Sequence, residues 1–283
     1  MCGARCSAVS DGRGPSCLIT TATCLALLSE MYTTTALSAT DSLDGTVQKR
    51  IRLTYKSSPI ADFGVTYGSF DAPNEDRLAY FDVSDGTFYP GQDPADHYWI
   101  YFTTIKGDRI LFDCGLFTFN MCDMVVAQPY NSPELPPLDF APAFFRERTL
   151  DRSLPDLHTE RRSMSVLRND SLGRAMLQAL HGGGGDSITI ARAVSTFMEG
   201  LTARTVPMSD VAATVGYTKL YCDALALNLE TEAWKKWPQS PQRVIEQDPG
   251  QLDDAYNEEE SWFEYMKKWR AGSRTRKSLL LPL

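Results

Sequence analysis

Apolar residues recur at helical spacing from Ser16 to Met31, with Leu25, Leu28 and Met31 on one side, and the pattern lapses through a Thr, Ser, Asp and Gly stretch over 33–46. Pro15 ahead of Ser16 sets the start of that helix. From Val47 onward the period shortens to two. Five strands are expected, over 50–55, 63–67, 78–83, 98–103 and 109–116, divided by turn residues at Pro59, Pro73-Asn74, Asp85-Gly86 and Pro90-Gly91. The proline-rich run 129–142 interrupts any regular element. Beyond residue 144 helical spacing takes over, and helices are expected at 156–180, 187–201, 209–236 and 251–270. One helix, then strands in sequence order, then a helical half predict an α+β fold, an antiparallel sheet of about five strands packed against a mostly helical C-terminal half.

Residues 1–16, rich in Gly, Ser and Arg, read as a disordered leader, 17–270 as one domain and 271–283 as a flexible tail. Within the domain a sheet lobe spans about 47–126 and a helical lobe about 144–270. The run Gly182-Gly183-Gly184-Gly185 after His181 reads as a linker between helices. A phosphate loop would follow a strand and end in Lys-Ser or Lys-Thr, and an esterase oxyanion loop would need a G-x-S-x-G elbow that the chain lacks. Trp262, Tyr265, Met266 and Trp269 form an apolar stripe on the last expected helix.

Composition narrows the function classes. The chain has 283 residues, 43% hydrophobic and 23% charged, which is enough apolar content for a full core. A net charge of −8 argues against a nucleic-acid partner, which calls for a basic face. No stretch reaches the roughly 18–20 apolar residues of a membrane span, and the segment 17–28 has too many threonines for a signal peptide. Seven cysteines, an odd number in so long a chain, suit a reducing compartment, cytoplasmic or nuclear. With only His97, His158 and His181 present, no His-rich metal site is expected, and no motif calls for a cofactor.

The segment 97–117 carries the most chemistry. Tyr98, Ile100 and Phe102 share a face with Ile110, Phe112, Cys114 and Leu116 if the strands turn through the three-residue loop Ile105-Lys106-Gly107, with Gly107 at positive φ. A two-residue loop would send the two apolar rows to opposite faces. In the three-residue register His97, Trp99, Tyr101, Arg109 and Asp113 occupy the second face, and His97 and Asp113 become diagonal neighbours. That spacing lets a carboxylate orient an imidazole. The alternative is a strand-end histidine, with Asp113 paired to Arg109.

A histidine opening one strand, a tryptophan two residues on and an aspartate on the next strand resemble the His/Asp hairpin of transglutaminase-like cysteine enzymes. The resemblance implies a hydrolase or acyltransferase with Cys17 as nucleophile at a helix start, His97 as base and Asp113 as orienting group, Cys24 being the second choice of nucleophile. The segments from Tyr89 to Trp99 and from Phe112 to Asn120 resemble uncharacterised proteins of mushroom-forming fungi, some of which carry an N-terminal MYND-type zinc finger. The cysteine and histidine array of that finger is missing here, and this resemblance implies no activity. In the absence of a complete catalytic motif, the leading expectation is a non-catalytic interaction or scaffold protein with a protein partner.

Overall fold

A computed structural model describes residues 16–33, 52–73, 76–78, 80–83, 86–89, 92–119, 122–147, 157–181 and 187–247. The chain divides into two compact units, 1–245 and 246–283, and of the second only Glu246 and Gln247 are described. The helix expected at 251–270, the glycine run 182–185, the leader over residues 1–15 and the tail lie outside the described residues.

Helix α1, Ser16–Leu27, continues into a π-helical segment, Leu28–Thr33. Its residues are apolar on nearly every side, the mark of a helix enclosed by its own protein. Cys24, Leu25 and Ala26 are fully buried, and the Thr20 and Thr23 hydroxyls donate to carbonyls one turn back, so that their polarity is satisfied inside the helix.

The main sheet is antiparallel and built from β1 (Thr54–Tyr55), β2 (Ser58–Phe70), β5 (His97–Thr104), β6 (Arg109–Asp113) and β9 (Phe144–Glu147) in that order, with β10 (His158–Ser165) also pairing with β2. The strands β3 (Tyr80–Asp82) and β4 (Thr87–Tyr89), expected in part to join this sheet, instead pair with each other as a separate ribbon. A three-stranded sheet orders β11 (Arg243–Gln247), β7 (Cys122–Val126) and β8 (Phe140–Pro142). The architecture is α+β, and the main sheet follows chain order, with β3, β4, β7 and β8 diverted into the smaller sheets and β10 returning to β2.

One face of the main sheet carries Phe63, Val65, Tyr98, Ile100 and Ile110 into the principal core. Cys17, Cys24 and Leu25 of α1 meet them there, with residues of α2 (Asp170–His181), α3 (Ser187–Thr202) and α4 (Met208–Glu230). Val194, Phe197, Met198 and Leu201 line one stripe of α3 at helical spacing. The Asn169 side chain caps α2 by accepting from the Leu172 amide at 3.0 Å. Among the described residues no helix is long and apolar enough to cross a membrane.

Beyond residue 129, β8, β9 and β11 are strands where none was expected, and two expected helices need correction. The helix expected from 156 is a strand over 158–165, and α2 starts only at Asp170. The helix expected at 209–236 ends at Glu230, where Glu232 adopts the left-handed conformation and a short 3-10 turn, Ala233–Lys236, follows. In the first case a β-bulge between Glu160 and Arg162 breaks the alternation by which a strand is recognised. β10 owes its conformation to pairing with β2, whose Gly64 and Gly68 admit its backbone so closely that added Cβ atoms would fall 2.1 Å from the Met164 oxygen and 2.2 Å from the Thr159 oxygen.

Candidate metal centre

The β5–β6 hairpin has the register expected of it. Ile100 pairs with Phe112, Phe102 with Ile110, and Thr104 bonds to Asp108 across a loop in which Gly107 has φ +92°. His97 and Asp113 therefore lie diagonally on the face turned away from the principal core. Their contact is direct: His97 Nε2 is 2.5 Å from Asp113 Oδ2. Arg109 does not pair with Asp113 but with Glu160, at 2.9 Å.

The third participant is His158, the first residue of β10, opposite Phe70 of β2. Its Nε2 lies 2.9 Å from the same Oδ2. The other carboxylate oxygen accepts from the Gly115 amide at 2.7 Å. Asp113 is thus held by two imidazoles and one backbone N–H, and all three side chains are sealed, at 0% exposure for His97, 1% for Asp113 and 4% for His158. Burial alone would raise the Asp113 pKa. The charge of His97 and the hydrogen bonds from both imidazoles outweigh it and bring the value from 3.8 to about 2, so the carboxylate is ionised.

Aromatic rings wall off the cluster. Phe70 meets both imidazoles, at centroid distances of 5.9 and 5.0 Å, Phe119 packs edge-on against His97 at 5.2 Å, and Trp99 against His158 at 4.9 Å. Leu116 and Phe119 of a short 3-10 turn join Phe70 in a small apolar cluster of their own. In so dry a setting each electrostatic contact is strengthened, and an unbalanced charge is costly.

On the far side of His97, Nδ1 lies 3.1 Å from the Gln92 amide nitrogen, while the Gln92 carbonyl accepts from Thr118 Oγ1 at 3.3 Å. An amide can present either its NH2 or its oxygen, so Gln92 can serve an unprotonated or a protonated Nδ1.

No family model, curated protein or solved structure matches the chain. The chemistry of the site must therefore be read from its own atoms.

Of the residues singled out in sequence, His97 and Asp113 are brought together, and Cys17 belongs to the principal core. Cys17 packs in the principal core with Tyr98, on the opposite face of β5 from His97, and both His97 nitrogens are engaged, one by Asp113 and one by Gln92. Cys24 is fully buried, and burial pushes its thiol far up. Cys17, Cys24, Cys114 and Cys222 form no disulfide.

His158 was missed because its segment read as helix; the only available signal was that this histidine is one of three in the chain. Two imidazoles and one carboxylate can form a ligand set without the His-rich cluster that three histidines in the chain rule out. One donor atom from each of His97, Asp113 and His158 lies within 4.8 Å of the others. Imidazole and carboxylate are the usual nitrogen and oxygen ligands of first-row divalent ions.

Proposed function

We propose that this protein binds one divalent transition-metal ion through His97 Nε2, His158 Nε2 and Asp113. The observation that carries the reading is the convergence of both Nε2 atoms on a single buried carboxylate oxygen, at 2.5 and 2.9 Å. A cation seated among the three donors would take over from the imidazoles the balancing of the enclosed carboxylate charge. Ligands of a tetrahedral ion with bonds near 2.0–2.1 Å stand about 3.3 Å apart, so the contacts of Asp113 Oδ2 with His97 and His158, at 2.5 and 2.9 Å, have to lengthen by about 0.8 and 0.4 Å to admit it. With Nε2 on the metal, the proton of His97 sits on Nδ1 and needs an acceptor, which Gln92 supplies only by turning its amide over and giving up the bond from its amide nitrogen to the Asp96 carbonyl.

Such an ion ties the β5–β6 hairpin to β10. A non-catalytic role in binding another protein remains the second reading, and the exposure of Val83 and Phe88 at the β3–β4 ribbon favours it.

The test is a metal titration of chelator-stripped protein with Zn²⁺ and Co²⁺, read by bound metal per chain and by thermal unfolding. One ion per chain is expected. At a hundredfold excess over the dissociation constant, the ion should stabilise the fold by about 2.7 kcal/mol, raising Tm by roughly 5–10 °C. His158→Ala should fold and lose both responses. Equal metal uptake by wild type and His158→Ala would refute the assignment.

A further inference from the structure

Between β7 and β8 the chain takes a longer course than the pairing of these strands requires. Val126 and Phe140 are cross-strand partners, so the ends of the loop over residues 127–139 stand side by side, where about two to five residues would make the turn. Surface loops of this length, closed at their ends and packed by their own side chains, are commonly functional. This one is held from within. The Ala127 amide donates to the Asp139 carbonyl at 2.8 Å, the Gln128 side-chain amide to Asp139 Oδ1 at 2.8 Å, and the Leu135 amide to the Ser132 carbonyl at 3.0 Å. Asn131 clamps Leu138 twice: its side-chain nitrogen donates to the Leu138 carbonyl at 3.0 Å, and its side-chain oxygen accepts from the Leu138 amide at 3.2 Å.

The clamp presents Leu135-Pro136-Pro137-Leu138. Leu135 and Pro136 each precede a proline, which drives their backbone to extended or polyproline II conformation, and the two rings fix φ at about −65°. Pro136 and Pro137 are exposed, and Leu138 and Phe140 are 47% and 49% exposed. No described residue donates to the carbonyls of Leu135, Pro136 or Pro137. Prolines have no N–H with which to extend a sheet, so what this segment offers another molecule is ring surface and free acceptors.

We infer that the 127–139 loop is a docking element for a protein domain whose groove takes up polyproline II, with aromatic rings receiving Pro136 and Pro137 and an indole or phenol donor meeting the free carbonyls. Glu134 and Asp139 flank the prolines, and no lysine or arginine lies between Gln128 and Phe145, so a groove with a basic rim fits the charge. A segment already in polyproline II binds with little ordering cost, and the Asn131 clamp lowers that cost further. This inference is independent of the metal reading and uses no residue of that site.

The experiment titrates the full chain against a panel of isolated SH3 and WW domains and follows binding by calorimetry. At least one domain with a basic groove rim should bind saturably. The double variant Pro136→Ala/Pro137→Ala should stay folded, with Tm within roughly 5 °C of wild type. It should bind the same domain about tenfold more weakly or worse, as loss of a central anchor predicts. Asn131→Ala leaves both prolines in place but loosens the loop, and should bind about threefold more weakly through lost preorganisation. Binding by no domain of the panel would overturn the inference, and so would undiminished affinity in the double variant. Undiminished affinity in Asn131→Ala would overturn the part assigned to the clamp.

Discussion

Asp113 is the residue on which the site turns, because one carboxylate gathers hydrogen bonds from two imidazoles and from the Gly115 amide. Its pKa falls from 3.8 to about 2 on folding, so it contributes stability that is complete above about pH 4 and is lost as the pH drops through about 2. The difference corresponds to about 2 kcal/mol. Urea unfolding of metal-free protein between pH 5 and pH 2 should show wild type losing that much more stability than Asp113→Asn, which has no charge to lose. Parallel pH profiles would mean that the charge of Asp113 does not contribute.

Cysteine chemistry can be judged at the same scale. Cys17 is 7% exposed, and burial pushes the Cys114 and Cys222 thiols up to about 12 each. Iodoacetamide at pH 7 should therefore modify none of the three quickly, and the Cys17 rate should change less than about twofold in His97→Gln, since only a thiolate reacts. A fast Cys17 reaction that slows in His97→Gln would restore the cysteine-enzyme reading.

Among the elements, the hairpin was legible and β10 was not, for reasons that particular residues make plain. Matching parity between Tyr98-Ile100-Phe102 and Ile110-Phe112 dictates an odd loop, and Gly107 has the positive φ that such a loop needs. These are local facts, and they delivered the His97–Asp113 contact. β10 reads His-Thr-Glu-Arg-Arg-Ser-Met-Ser, carries its bulge among the charged residues, and becomes a strand only because β2 is there to pair with it. Two glycine substitutions should separate these situations. Gly107→Ala meets no neighbouring atom within 4 Å, so only backbone strain applies, costing about 1 kcal/mol or roughly 2–4 °C in Tm with metal binding intact. Gly68→Ala would place its methyl 2.2 Å from the Thr159 oxygen and 2.5 Å from the Trp99 ring. Displacing β10 in this way should cost about 2 kcal/mol or more and abolish metal uptake, because His158 moves with the strand. A Gly68→Ala protein that takes up metal normally would show that β10 tolerates the displacement.

For the molecule as a whole, the class of fold and the chain order of the main-sheet strands followed from the order of periodicities, whereas the departure of β3 and β4 and the return of β10 to β2 did not. Alternation tells which residues point inward but not which partner strand they will meet. The excursion of β3 and β4 into a ribbon of their own and the arrival of β9 and β10 from beyond the proline-rich run depend on contacts between distant parts of the chain. The net charge of −8 says nothing about this internal chemistry, since the ligands sit where solvent does not reach.

The pairing of β2 with β10 has a consequence for the time course of folding. Thr66 and Ser163, hydrogen-bonded across these strands, are 97 positions apart in the chain, whereas the β5–β6 turn closes over three residues. Loop-closure entropy makes the short closure fast and the long one slow. His97 and Asp113 should meet early, as a two-ligand half-site on a nascent hairpin, and His158 should complete it only when the last strand of the main sheet docks. An ion captured by the half-site would then favour the docked arrangement, so that the metal would act as a template for the slowest step of assembly.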